Sequence, residues 1–154
     1  MSTIRNLTQA DVPKCAAILR SLPNWFGLDE SNAQYVRDLE TLPAFVATVD
    51  GDLVGFLALI HHTDVSSEIH VLAVSPGRHR TGVGRALVDR AESVARGRSA
   101  KLLQVKTLGP SNPDPNYAHT RAFYEALGFL PLEETTAFWG EDNPALILVK
   151  PLTG

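Results

Sequence analysis

Val71-Leu72-Ala73-Val74-Ser75-Pro76-Gly77-Arg78-His79-Arg80-Thr81-Gly82-Val83-Gly84-Arg85-Ala86-Leu87 carries an apolar strand directly into a glycine-spaced turn and then into a helix. The first amides of a helix have no partner within it, and that end of the helix dipole is positive, so such a turn suits a phosphate. Glycine at positions 82 and 84 lets a bulky anion approach the main chain, and Arg78, Arg80 and Arg85 add positive charge. The formal net charge of the chain is −3, so this basic cluster is a local feature. A Rossmann turn needs a third glycine where Leu87 stands, and a P-loop needs a Gly-Lys-Ser/Thr that is missing, which weakens both nucleotide patterns.

The 154 residues suit a single domain, 1–154, able to bury about two-thirds of its unfolded surface. One cysteine, Cys15, forms no internal disulfide, and the polar start Met1-Ser2-Thr3-Ile4-Arg5 holds no signal-peptide core, so a cytoplasmic location is expected. The longest apolar run, residues 53–60, is strand length and far below the ~20 residues of a membrane span. With this charge and no basic tail, neither nucleic acid nor membrane is an expected partner.

Working outward from the turn, periodicity predicts strands over 4–7, 44–49, 53–60, 68–74, 102–106, 130–136 and 145–150. Asp50-Gly51-Asp52 signals a tight hairpin between the second and third. Thr8 or Asp11 can cap a first helix with Val12, Ala16, Ile18 and Leu19 on its apolar face, stopped by Leu22-Pro23. Further helices are predicted over 31–39, 82–96 and 117–127. In the 82–96 helix Leu87, Ala91, Val94 and Ala95 face inward, and Gly128 is placed to end the 117–127 helix. Three prolines make 107–116 read as an irregular loop. The class is mixed α/β.

His79-Arg80-Thr81-Gly82-Val83-Gly84, following Leu72-Ala73-Val74-Ser75-Pro76, resembles the central motif of the GNAT superfamily of acyl-CoA-dependent N-acetyltransferases, with His79 in the Arg/Gln position. His119-Thr120-Arg121-Ala122-Phe123-Tyr124-Glu125-Ala126-Leu127-Gly128-Phe129 is similar to the family's late helix, with Tyr117 and Thr120 replacing its first two marked residues. The resemblance implies a mostly antiparallel central sheet of six to seven strands flanked by about four helices. It implies acetyl-CoA as donor, held by backbone groups of Leu72, Ala73 and Val74 and by the turn His79, Arg80, Thr81, Gly82, Val83, Gly84 and Arg85, with Tyr117 lining the channel. A strand N–H near Leu72 to Val74 would stabilise the oxyanion.

Acetyl transfer needs a neutral amine, whereas an alkyl ammonium has a pKa of ~10.4, so a group must accept a proton. Glu68 takes the place where some family members carry a glutamate base, and on a strand residues 68, 70, 72 and 74 share one face. A solvated strand-start carboxylate is its other reading. His70 is a rival base, since its reference pKa of ~6.5 leaves it mostly neutral at pH 7; its other reading is a packed strand histidine. Tyr124 occupies the position of the family's acid, which protonates the departing thiolate, against a reading as a core aromatic beside Phe123. Adjacent helix positions lie about 100° apart, so both rings are not expected on one face.

Trp25 and Phe26 between the first two helices, His70, and Trp139 in the last loop are expected on the acceptor side. Glu133, Glu134, Glu141 and Asp142 either attract a cationic amine or form a solvated surface. Cys15 reads as an inert buried thiol, and His61-His62 point to opposite strand faces, so neither a covalent nucleophile nor a metal is expected. The acceptor is a small-molecule or peptide amine, and homodimers are frequent in the family. Two other readings keep the glycine turn: a non-catalytic acyl-CoA-binding sensor and a general nucleotide binder.

Overall fold

The computed structural model describes residues 2–152. In chain order the elements are β1 (Thr3–Asn6), α1 (Val12–Arg20), α2 (Asp29–Asp38), β2 (Ala44–Val49), β3 (Asp52–Thr63), β4 (Ser66–Val74), α3 (Val83–Gly97), β5 (Leu102–Leu108), α4 (Pro115–Ala126), β6 (Leu130–Thr135) and β7 (Ala145–Pro151). The seven strands form one sheet in the order β1-β2-β3-β4-β5-β7-β6. The β1–β2, β2–β3, β5–β7 and β6–β7 pairings are antiparallel, so the expected mostly antiparallel α/β architecture is the one observed. The described residues cluster into two compact units, 2–60 with 69–94 and 61–68 with 95–152, and β3 and β4 contribute to both.

In the first unit, Asp50 (φ 52°) and Gly51 (φ 84°) both take positive φ, the mark of the type I′ turn that matches strand twist. Along the β2–β3 pair, Ala47 faces Gly55 and Thr48 faces Leu53, so Val54 is an extra residue that bulges β3. Gly55 sits beside this bulge, where a Cβ would come within 3.1 Å of the Ala73 carbonyl and within 3.3 Å of Leu87 and Val83 side chains. A missing side chain on β3 thus lets the first turns of α3 press against the sheet, which fixes where the glycine turn emerges. The core of this unit packs Cys15, Ile18, Leu19, Leu22 and Leu39 against Val46, Phe56, Ala58, Val71 and Ala73. Each such aliphatic or aromatic side chain contributes about 1.5–3 kcal/mol.

Asp11 stands just before α1 but its side chain makes no cap bond to that helix, and Thr8 instead precedes a 3-10 turn over Gln9–Asp11. The Asp11 carboxylate reaches back and accepts from the Thr8 N–H (2.8 Å) and hydroxyl (3.1 Å) and from both Arg5 guanidinium nitrogens (2.8 and 2.9 Å). Donation from Arg5 holds the Asp11 carboxyl well below the usual range despite the cost of its burial.

In the second unit, α4 ends in a Schellman motif. The Phe129 N–H donates to Tyr124 O (3.1 Å), the Gly128 N–H donates to Glu125 O (3.0 Å), and Gly128 takes φ 96°. Phe129 then stacks its ring edge-on against Tyr124, with centroids 5.4 Å apart, as the apolar contact of that motif. On β6, Pro131 faces Leu148 and Glu133 faces Ile147, so Leu132 is bulged out of register and stands 65% exposed.

Several boundaries differ from the sequence reading for identifiable reasons. β3 runs on to Thr63 because His61 and His62, which break the apolar run, find partners on Ser67 and Glu68 of β4. β5 continues through Thr107 and Leu108, which pair with Leu146 and Ala145 of β7, a contact between distant segments. α4 starts two residues before the predicted 117 because Asp114 accepts from the Asn116 N–H (2.9 Å) and Pro115 fills the first helical position. On α3, Leu87, Ala91 and Ala95 are buried as expected, but Val88 is fully buried and Val94 only half-buried. Gly128→Ala should destabilise the protein by about 1–2 kcal/mol, because a Cβ is forced into the left-handed region. Chemical denaturation measures the loss, and an unchanged midpoint would contradict this account of the helix end.

Candidate active site

The strand-turn-helix emerges in the first unit as the sequence implies. Arg80 (φ 62°) and Gly82 (φ 89°) both take left-handed backbone, and a Cβ on Gly82 would meet nothing within 4 Å, so the turn is open on that side. The first helical bond of α3 runs from the Ala86 N–H to Gly82 O (3.0 Å), which leaves the Val83, Gly84 and Arg85 amides ahead of the helical ladder. Arg80, Thr81 and Arg85 are exposed, while Val83 is buried and anchors the turn. The Thr81 hydroxyl donates to Arg78 O, and the Arg78 N–H donates to Ser75 O (2.9 Å).

His79 turns out to be a clamp on the turn. Its Nε2 lies 2.8 Å from Val74 O, and a carbonyl only accepts, so Nε2 carries the proton. The Val74 carbonyl, expected as a free backbone group for the cofactor arm, is thereby engaged by the turn it leads into. Leu72 and Val74 are half-buried and Ala73 is buried. The edge of Trp25 packs on the His79 ring at 5.6 Å.

A second aromatic contact series brings together residues that the sequence placed on the acceptor side with two that it missed. Phe26 meets Tyr35 at 5.9 Å, and Tyr35 meets His70 at 5.3 Å. His70 Nε2 lies 2.8 Å from Asp38 Oδ2, and Gln34 Nε2 donates to the other Asp38 oxygen (2.8 Å). Tyr35 and Asp38 lie one turn apart on α2. Neither carries a local motif, and only the i, i+3 spacing of a polar and an aromatic residue hints that one helix face is used.

Within the second unit, Glu68 is neither solvated nor isolated. It is 5% exposed and accepts from His62 Nε2 (2.6 Å), Gln104 Nε2 (3.1 Å) and Lys106 Nζ (2.9 Å to Oε2, 3.1 Å to Oε1). Burial pushes its carboxyl up, but donation from His62 and Lys106 outweighs this and leaves it below the usual carboxylate range. The Phe138 ring covers the Lys106 ammonium at 4.6 Å. Phe138 thus reaches this cluster although it is itself 54% exposed, and its neighbour Trp139, singled out in the sequence, is 44% exposed. His62, Gln104 and Lys106 were not singled out as site residues, because strands that are distant in sequence supply them.

Tyr124 is buried between the rings of Phe123 (5.1 Å) and Phe129, and burial pushes its phenol up, so its proton stays in place across the physiological range. Phe123 is half-buried, so the two adjacent rings do differ in burial, and Tyr124 is the one that points into the core. Tyr117, two turns earlier on α4, is half-buried. Cys15 has no exposed surface, and its thiol is pushed up to about 12 by burial, with a further contribution from Asp11. Among the described residues no group of three or more His, Cys, Asp and Glu is placed to hold a metal ion. Likewise no described helix is long and apolar enough to cross a membrane. Glu134 accepts from the Ser111 N–H and hydroxyl, and with Glu141 and Pro144 it lines an open surface depression of about 360 Å³.

A sequence profile described as an acetyltransferase (GNAT) domain matches residues 41–131, more than half of the chain and the whole of the strand-turn-helix. The chain belongs to the GNAT acetyltransferase family. A mycothiol acetyltransferase of Beutenbergia cavernae is 37% identical over 83 residues, which cover 54% of this chain and 26% of that protein. The chain thus spans about a quarter of the length of that relative. Among solved structures, a protein described as an acetyltransferase of the GNAT family from Desulfovibrio desulfuricans superposes with a TM-score of 0.87 at 22% identity, covering 99% of this chain and 100% of that one. A GNAT acetyltransferase from Elizabethkingia anophelis with acetyl-CoA bound gives a TM-score of 0.75 at 19% identity, covering 98% of each chain. Both structures share the fold.

The Glu68 cluster sets a pH dependence. A carboxyl whose folded value lies below its unfolded value of ~4.3 lends stability that is present above that pH and is lost as pH falls through the folded value. In GNAT terms this charge sits on the strand that leads to the glycine turn. Lys106→Met should raise the Glu68 titration midpoint, read by carboxyl NMR, and Glu68→Gln should flatten the acid arm of the stability curve. A midpoint that Lys106→Met leaves unmoved would contradict the ion pair.

Proposed function

We propose that this chain is an N-acetyltransferase that moves an acetyl group from acetyl-CoA directly to the primary amine of a small molecule or peptide, with residues 1–154 working as one domain. The observation that carries this reading is the open turn between β4 and α3, with left-handed Arg80 and Gly82 and three amides ahead of the helical ladder, in a chain of the GNAT family. A structure of the same fold with acetyl-CoA bound supports the donor. In this reading His79, Arg80, Thr81, Gly82, Val83, Gly84 and Arg85 hold the pyrophosphate, Leu72, Ala73 and Val74 flank the pantetheine arm, and Tyr117 lines the channel.

Trp25, Phe26 and His70 form the acceptor wall, extended by Tyr35 and Asp38, and Trp139 is an acceptor-side residue of the last loop. The ammonium of the acceptor loses a proton through the Glu68 cluster, and the freed nitrogen lone pair attacks the thioester carbonyl. A strand amide near Leu72 to Val74 stabilises the oxyanion. As the carbon–sulfur bond breaks, Tyr124 supplies a proton to the departing thiolate. The inaccessible, high-pKa Cys15 thiol supports direct transfer over a covalent intermediate.

The test is CoA release across a panel of primary amines. Tyr124→Phe should lower kcat by about 10²-fold or more, and Gly82→Val should raise KM for acetyl-CoA, because a β-branched residue resists φ 89°. His70→Ala should raise KM for the amine with less effect on acetyl-CoA. Acetyl-CoA binding without turnover of any amine would favour a sensor and overturn the enzymatic reading.

A further inference from the structure

We propose that His62 is the proton acceptor of the transfer reaction and that Glu68 is its positioning residue, an inference that rests on the acetyltransferase reading above. Each carboxylate oxygen offers about two lone-pair sites. At Glu68 the oxygen bonded to His62, Oε1, also takes contacts from Gln104 and Lys106 and is fully engaged, while Oε2 takes one from Lys106. The Glu68 side chain is 7% exposed, whereas that of His62 is 40% exposed, so the imidazole is the part of this pair open to an incoming amine.

The carboxylate also fixes the tautomer. Glu68 can only accept, so the ring nitrogen 2.6 Å from it is Nε2–H, and in the neutral ring Nδ1 keeps its lone pair. A histidine oriented by a buried carboxylate is a base held in its working tautomer, and the imidazolium formed is stabilised by the charge behind it. Lys106 on β5 faces the same carboxylate and offsets part of that charge, which lets the imidazolium give its proton up again. Gln104, also on β5, is neutral, and His61 beside His62 on β3 is turned to Ser67 instead (2.8 Å). His70 has a carboxylate partner too, but Asp38 is 25% exposed and the His70 ring packs on Tyr35, which fits the acceptor wall.

In the step itself an ammonium N–H bond breaks and its proton goes to His62 Nδ1. The imidazolium releases that proton to water, the nitrogen lone pair forms the C–N bond, and the C–S bond breaks with its electron pair leaving on sulfur. The thiolate takes a proton from Tyr124, which the second proton lost by the nitrogen replaces, so an ammonium and a thioester give an amide, a thiol and one proton.

The experiment follows kcat against pH for the full chain with an accepted amine, comparing wild type with His62→Gln, Glu68→Gln and His70→Asn. Melting and acetyl-CoA calorimetry on each variant separate lost chemistry from lost folding. Wild type should show an acid limb, and His62→Gln should abolish that limb and lower kcat about 100-fold or more at unchanged acetyl-CoA KM. Glu68→Gln should lower kcat about tenfold and shift the limb, and His70→Asn should keep it. Long-range proton–nitrogen NMR should show His62 as Nε2–H in wild type and a tautomer mixture in Glu68→Gln. Retention of wild-type kcat and limb by His62→Gln, a larger loss in Glu68→Gln than in His62→Gln, or an Nδ1–H ring would each overturn the assignment. If wild type acetylates no amine, the acetyltransferase reading fails and the catalytic role with it, while the tautomer measurement still decides whether Glu68 orients the ring.

Discussion

A carboxylate that is 5% exposed stays ionised only when donors replace its lost water, and at Glu68 a lysine, a histidine and a glutamine do so from the neighbouring strands. Removing one partner of such a pair leaves an uncompensated buried charge, which is far more costly than the pair itself is favourable. The end of β3, the start of β4 and the middle of β5 are therefore tied to one register by a single polar cluster. The extension of β3 past its apolar run as far as His62 fits the need to keep that charge satisfied.

The glycine turn depends on a different constraint, close approach. Gly55 on β3 has no room for a side chain, so Val83 and Leu87 can seat the start of α3 against the sheet. His79 then fastens the turn to the last carbonyl of β4, with the edge of Trp25 on its ring. The histidine in the family's Arg/Gln position has a structural role here: it ties the turn to the last carbonyl of β4.

Where the sequence was legible, the signals were local. The Asp50-Gly51 turn, the helix stop at Gly128 and the strand-turn-helix at 71–87 are each contiguous in sequence, and each appears as read. The misreadings share the opposite property. Residues 107 and 108 read as loop because their partners lie nearly forty positions later on β7, and β3 read short because the partners of His61 and His62 are on β4. The solvated reading of Glu68 fails for the same reason, because nothing near it in sequence announces Lys106 or Gln104.

By itself the sequence determined the element order, the mostly antiparallel α/β class and the family, because backbone geometry, periodicity and turn chemistry are short-range and glycine or proline preferences are strong. The tertiary structure alone decided which polar groups meet. It paired Glu68 with His62 and Lys106, joined His70 to Asp38 and Tyr35, turned Tyr124 into the core, and put Phe138 rather than Trp139 over the lysine. Those contacts join residues as much as 38 positions apart, and their strength depends on burial, which no window of sequence contains.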